Sequence, residues 1–219
     1  MKRYIKSAVI DPMDEGQSDL VEIARLTDSD ELLHRIFNYM QNHTYTWGIA
    51  LALLDNPNTP DDMVQYLLNI DYYARQYAVS GKLPDRLRYI ANNSVRYPSQ
   101  STLEELIAQN PNLPSDILEE YLNSRKLRGY AAMNPNLSSN AIESLAHSQN
   151  NFMRSCVTMN PAISSELLIE LSTDPDEEVR AGVANHSNTP VEVLQRLAED
   201  EVLGVRLVAK ATLREEHGL

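Results

Sequence analysis

The sequence predicts an all-α solenoid built from about seven to eight two-helix repeats of 24–26 residues, and three observations carry that prediction. The first is a recurring break. Asn56-Pro57-Asn58-Thr59-Pro60 returns as Asn110-Pro111-Asn112-Leu113-Pro114, as Asn134-Pro135-Asn136-Leu137-Ser138 and as Asn160-Pro161-Ala162-Ile163-Ser164. A degenerate copy, His186-Ser187-Asn188-Thr189-Pro190, follows. The starts lie 54, 24, 26 and 26 residues apart, and the long gap holds one more block near Gly81-Lys82-Leu83-Pro84. A near-constant period of this length marks a repeat architecture.

The second observation is an apolar pair at helical spacing after each break. Val64, Leu118, Ile142, Leu168 and Leu194 are followed three places later by Leu67, Tyr121, Leu145, Leu171 and Leu197, which share one helix face. The third is an arginine once per block: Arg75, Arg128, Arg154, Arg180 and Arg206. Small or apolar residues follow three and four places on, as in Ala131-Ala132 and Val183-Ala184.

Local chemistry explains the break. Proline lacks an amide donor and restricts its predecessor, so Asn-Pro ends one helix. The second proline suits a first helical position and starts the next. Thr189-Pro190-Val191-Glu192 and Asp174-Pro175-Asp176-Glu177 read as capped helix starts, and Asp61 and Asp62 complement a helix dipole. Each block is therefore a helix of two to three turns, a link and a shorter helix. Such a unit cannot bury its apolar face alone, so neighbours must stack.

This pattern, with Val-Leu-Gln-Arg-Leu-Ala-Glu-Asp after the break and Val179-Arg180-Ala181-Gly182-Val183-Ala184 before it, resembles the leucine-rich repeat variant family. The resemblance covers residues 56–214 well and 20–55 weakly. It implies a right-handed superhelix of alternating α- and 3₁₀-like helices, with no catalytic activity to carry over. Some relatives hold an iron–sulfur cluster on a cysteine-rich N-terminal segment. Cys156 is the one cysteine here, so no cluster is implied and no cofactor is expected.

By organisation, residues 1–19 form a tail or cap and 20–219 a single solenoid domain, irregular over 20–109 and regular over 110–219. Residues 20–55 and 202–219 serve as end caps. Residues 97–102, Tyr97-Pro98-Ser99-Gln100-Ser101-Thr102, insert ahead of a helix beginning at Leu103. This is either drift in a tolerant loop or a functional insertion.

Composition narrows the partner. A net charge of −12, from 19 basic and 31 acidic residues, disfavours binding to nucleic acid, whose affinity rests on neutralised phosphates. It suits a basic protein partner, or solubility alone. No apolar stretch approaches the ~20 residues that span a bilayer, and the lone cysteine fits a reducing compartment. A cytoplasmic protein of a bacterium or phage is expected.

Candidate chemistry is sparse. The five histidines lie in different blocks without metal-ligand spacing, Cys156 falls where a core residue is expected, and no glycine-rich phosphate loop occurs. Two rows stand out as binding faces. Eight of eleven tyrosines fall between residues 39 and 97, and Tyr45, Trp47, Tyr72, Tyr73, Tyr77 and Tyr97 are the candidate partner-binding residues; Tyr66 has a core spacing. The arginine row either binds an anion or is structural, each guanidinium meeting an acid such as Asp174 or Glu177 or helix-end carbonyls. The expected function is a non-catalytic protein-interaction scaffold. The alternatives are an acidic inhibitor or nucleic-acid mimic that fills a basic groove, and a helical-repeat DNA-processing enzyme.

Overall fold

A computed structural model of the 219-residue chain describes residues 17–44, 46–94 and 100–217. Among these the chain is helical with no strand. Its contacts divide it into two compact units, Met1–Ile107 and Ala108–Leu219. The division falls two residues before the change from irregular to regular repeats.

In the first unit, α1 (Gln17–Leu26), α3 (Trp47–Asp55) and α5 (Asp71–Ser80) pack in succession. α2 (Asp30–Asn42) and α4 (Asp61–Leu68) lie against α3 and α5, and α6 (Pro84–Asn92) follows against α5. α7 spans Gln100–Gln109. It begins three residues before the Leu103 start expected from sequence, so 100–102 form its first turn rather than an insertion. Residues 97–99, the rest of that segment, lie outside the described residues.

In the second unit, α9 (Arg128–Met133), α11 (Asn151–Thr158), α13 (Glu177–Ala184) and α15 (Leu203–His217) stack in chain order. α8 (Ser115–Leu122), α10 (Ser139–Ala146), α12 (Ser165–Leu171) and α14 (Val191–Leu197) pair with them to form a second layer. The inward positions expected from the period carry the core between the layers. Leu118, Ile142, Leu168, Leu194, Leu171 and Leu197 are buried, each worth ~1.5–3 kcal/mol against exposure.

The resemblance implies alternating α- and 3₁₀-like helices, but both helices of each pair are α-helical. The 3₁₀ character is confined to their ends. Pro114 accepts from both Ile117 and Leu118, and Asn123 closes α8 by donating to Glu120. Helices this short leave a large share of their groups to tightened terminal turns.

The second proline of each break also sits one place earlier than expected. Pro60, Pro114 and Pro190 have extended backbone and occupy the N-cap, while Pro84 alone of these stands at a first helical position. Where the same place holds serine, Ser138 and Ser164 accept from the third helical N–H, of Ala141 and Leu167. Thr189 does not cap; its hydroxyl donates back 2.7 Å to the Val183 carbonyl. Thr59 does the same to Leu53 at 2.6 Å.

The asparagine of each break is a repeat-to-repeat staple. Asn160 is fully buried; its amide nitrogen donates to the Ala132 and Asn134 carbonyls at 2.7 and 2.9 Å, and its oxygen accepts from Ala162. Asn134 does the same to Ala108 and Asn110 one repeat earlier, and Asn56 to Ala24 and Thr27. A buried carbonyl at a helix end needs such a donor. His186 stands in this place in the degenerate copy, with one ring nitrogen 3.2 Å from the Asn160 carbonyl and the other accepting from Asn188.

Candidate functional site: the arginine row and the exposed aromatics

Each arginine of the row lies on an inner helix of its block. In the second unit its surroundings follow one register. Arg180 donates through Nε and Nη2 to the Asp200 carboxylate at 2.7 and 3.0 Å, and through Nη1 to the Asp174 carbonyl at 2.8 Å. Arg154 repeats this one block earlier, gripping Asp174 at 2.6 and 2.9 Å and reaching the Ser148 carbonyl at 2.8 Å. Arg206 keeps the carbonyl half, donating to Asp200 at 2.6 Å and Glu201 at 2.9 Å. The rule is a carbonyl six residues upstream and a carboxylate twenty residues downstream.

The electrostatics agree with the geometry. The hydrogen bond from Arg180 holds the Asp200 carboxyl below its ordinary value of 3.8. Burial alone would push Asp174 up, but hydrogen bonds from Arg154 and the Asp176 N–H outweigh it and hold this carboxyl low too. Both arginines are raised in turn by their carboxylate hydrogen bonds. These guanidinium groups are therefore saturated from within the chain, and the structural reading of the row holds for Arg154 and Arg180. Asp174 is a partner, as the sequence suggests. Glu177 points elsewhere: it is exposed in the first turn of α13.

Arg75 and Arg128 depart from the register. Arg75, in the first unit, bonds Asp71 on its own helix at 3.0 Å and Thr102. Arg128 carries a buried Nε with no hydrogen-bond partner, and its guanidinium lies 5.4 Å from the centre of the Phe152 ring.

The aromatic candidates separate into exposed and buried. Trp47 and Tyr72 are each 52% exposed, and Tyr73 is half-buried with its ring edge-on to Tyr72. Tyr45 and Tyr97 lie outside the described residues. Tyr77 is not available to a partner: it is 1% exposed. Its hydroxyl accepts from the Leu83 N–H at 3.1 Å, and burial pushes that hydroxyl up to about 12. A Cβ at position 81 would stand 2.3 Å from the Tyr77 ring, so Gly81 is what lets the ring fold under the turn.

Tyr66 reverses the opposite way. It was expected in the core, yet is 47% exposed with its ring edge-on to Phe37. The buried face of α4 is Met63, Val64, Leu67 and Leu68, and position 66 lies off that stripe. Phe152, not singled out from sequence, is 46% exposed. It is the second residue of α11, as Tyr72 is of α5, while Trp47 opens α3. That shared register was the signal available for finding it.

Cys156 is buried with Ala132 and Met153, and burial pushes its thiol up, which leaves little thiolate for nucleophilic chemistry. Among the described residues no group of three His, Cys, Asp or Glu side chains could hold a metal ion. No helix among them is long and apolar enough to cross a membrane. An open hollow of about 450 Å³ lies at the N-terminal ends of α11 and α13, lined by Asn151, Asp176, Glu177, Glu178, Arg180 and Glu201 among others.

Residues 177–202, from the start of α13 through α14 to the following link, match the family model described as leucine rich repeat variant. This block is a leucine rich repeat variant. Comparison with curated proteins and with solved structures gave no match. The matched repeat contains Arg180, the His186 staple and Asp200, and the blocks before it keep the same register of arginine, staple and carboxylate at 26-residue spacing.

Proposed function

We propose that the chain is a non-catalytic protein-interaction scaffold whose contact residues are the exposed aromatics at the first turns of the inner helices. One observation carries this: Trp47, Tyr72 and Phe152 recur at that place while remaining about half exposed. Aromatic side chains with one face packed and one wet are the residue type that anchors interfaces. The groups that could do chemistry, Arg154, Arg180, Asp174, Asp200 and Cys156, are engaged within the fold. A repeat stack suits the role because it presents one position many times over.

The acidic hollow supports a second reading, in which the chain receives a cationic side chain from a basic partner. Asp176, Glu177, Glu178 and Glu201 face a space that contains Arg180 alone as a counter-charge. The cytoplasm remains the proposed compartment, on the strength of the single buried cysteine.

Affinity capture from host lysate with the wild type and a Trp47→Ala/Tyr72→Ala/Phe152→Ala variant tests the first reading. A stoichiometric partner lost with the variant supports it. No partner at physiological salt contradicts it. A partner lost only with Glu177→Lys/Glu178→Lys favours the acidic hollow instead.

A further inference from the structure

Asp174 and Asp200 each do three things. The carboxylate grips the arginine twenty residues upstream, accepts from the N–H two residues on, and leaves the backbone carbonyl to the next arginine. Ser148 performs the last two of these. Its hydroxyl accepts from the Asn150 N–H at 3.2 Å, and its carbonyl takes Nη1 of Arg154 at 2.8 Å. Ser148 is thus the register equivalent of Asp174 and Asp200, twenty residues after Arg128, but it has no carboxylate to send back. The consequence is visible at Arg128, whose buried Nε has no partner. A buried donor on a cation is costly when left unpaired.

We propose that this vacancy is a docking point for a carboxylate side chain on an acidic segment of the protein partner, which supplies to Arg128 in trans what Asp174 and Asp200 supply in cis. The local charge fits such an occupant. The chain holds 31 acidic residues, yet none falls between Glu120 and Glu143, and this stretch contains Arg125, Lys126 and Arg128. Arg125 and Lys126 are exposed. The half-exposed Phe152 ring against the guanidinium adds an apolar contact beside the charge, so an acidic residue next to an apolar one is the segment that fits best. Arginine favours this planar, two-point recognition of carboxylates over a point contact.

The inference rests on the scaffold reading, and its test separates the two. A fluorescent peptide of alternating glutamate and leucine is titrated by anisotropy against the wild type, Ser148→Asp and Arg128→Gln, with a glutamine–leucine peptide as control. The wild type is expected to bind the acidic peptide, and both variants to bind it about tenfold more weakly, the order of one charge-assisted two-point contact. Ser148→Asp should also melt at a higher temperature than the wild type, because it completes the ladder in cis. An acidic peptide bound equally well by Ser148→Asp overturns the proposal, as does a melting temperature that this variant leaves unchanged or lowers. A captured partner indifferent to Ser148→Asp but lost with the aromatic variant sinks the Arg128 dock and leaves the scaffold standing. Failure to capture any partner, with the peptide result as expected, does the reverse.

Discussion

Arg180 and Asp200 face each other across twenty residues of sequence as a two-point pair, with N···O distances of 2.7 and 3.0 Å and side chains each 9% exposed. The pair ties α13 to the link that opens α15, so it is a contact between repeats rather than within one. Removing one member leaves a buried charge behind. Asp200→Asn is expected to cost about 2–3 kcal/mol of stability, below the ~3–5 typical of a globular core because the cover of side chains is thin. Replacing both with apolar residues of similar size should cost less than either single change. A double-mutant cycle by urea denaturation measures the coupling.

The same pairs set an acid limit. Asp174 and Asp200 have folded-state pKa values below 3.8, so each contributes stability that is fully present above the unfolded value. That contribution is lost as pH falls through the lowered folded value. The urea midpoint should therefore drop steeply below about pH 4. In Asp174→Asn/Asp200→Asn that part of the slope should be missing, and an unchanged slope would assign the acid sensitivity to other carboxylates.

Asn160 separates hydrogen-bond geometry from size. Its amide donates to two carbonyls of the preceding repeats, so Asn160→Asp places a carboxylate against two acceptors. Asn160→Asp should destabilise more than Asn160→Ala, which leaves the carbonyls unpaired at ~1–3 kcal/mol each. Asn160→His should be the mildest of the three, since His186 already fills the equivalent place. Thermal melts of the three variants give the order, and Asp milder than Ala would contradict it.

Gly182 marks the closest approach of α13 to α11. A Cβ there would stand 1.9 Å from the Thr158 hydroxyl, which is itself buried and bonded to the Ser155 carbonyl. Gly182→Ala gains up to ~1 kcal/mol of helix propensity, yet overpacking of ~1–3 kcal/mol is expected to win. Adding Thr158→Ala should restore most of the loss. Chemical denaturation of the single and double variants checks the rescue.

The repeat was legible because Asn134, Asn160 and their prolines have to recur wherever a helix end meets the next one. The inward leucines followed from helical spacing. What a periodicity cannot say is which neighbour covers a residue. Tyr77 disappears under Gly81, a contact set by the turn rather than by α5, and Tyr66 misses the α4 stripe by one position. The arginine row looked uniform in sequence. Only the stacked structure shows that Arg154 and Arg180 are answered by Asp174 and Asp200, while Ser148 leaves Arg128 unanswered. Phe152 escaped notice because its equivalence to Tyr72 depends on helix starts that the sequence places only to within a residue or two.

The central claim, that the first turns of the inner helices are the contact surface, is met most directly by hydrogen–deuterium exchange of the chain with and without its captured partner. Slowed exchange at the first turns of α3, α5 and α11, around Trp47, Tyr72 and Phe152, is the predicted result. Protection confined to α4, α8, α10, α12 and α14, with those turns unchanged, would contradict it.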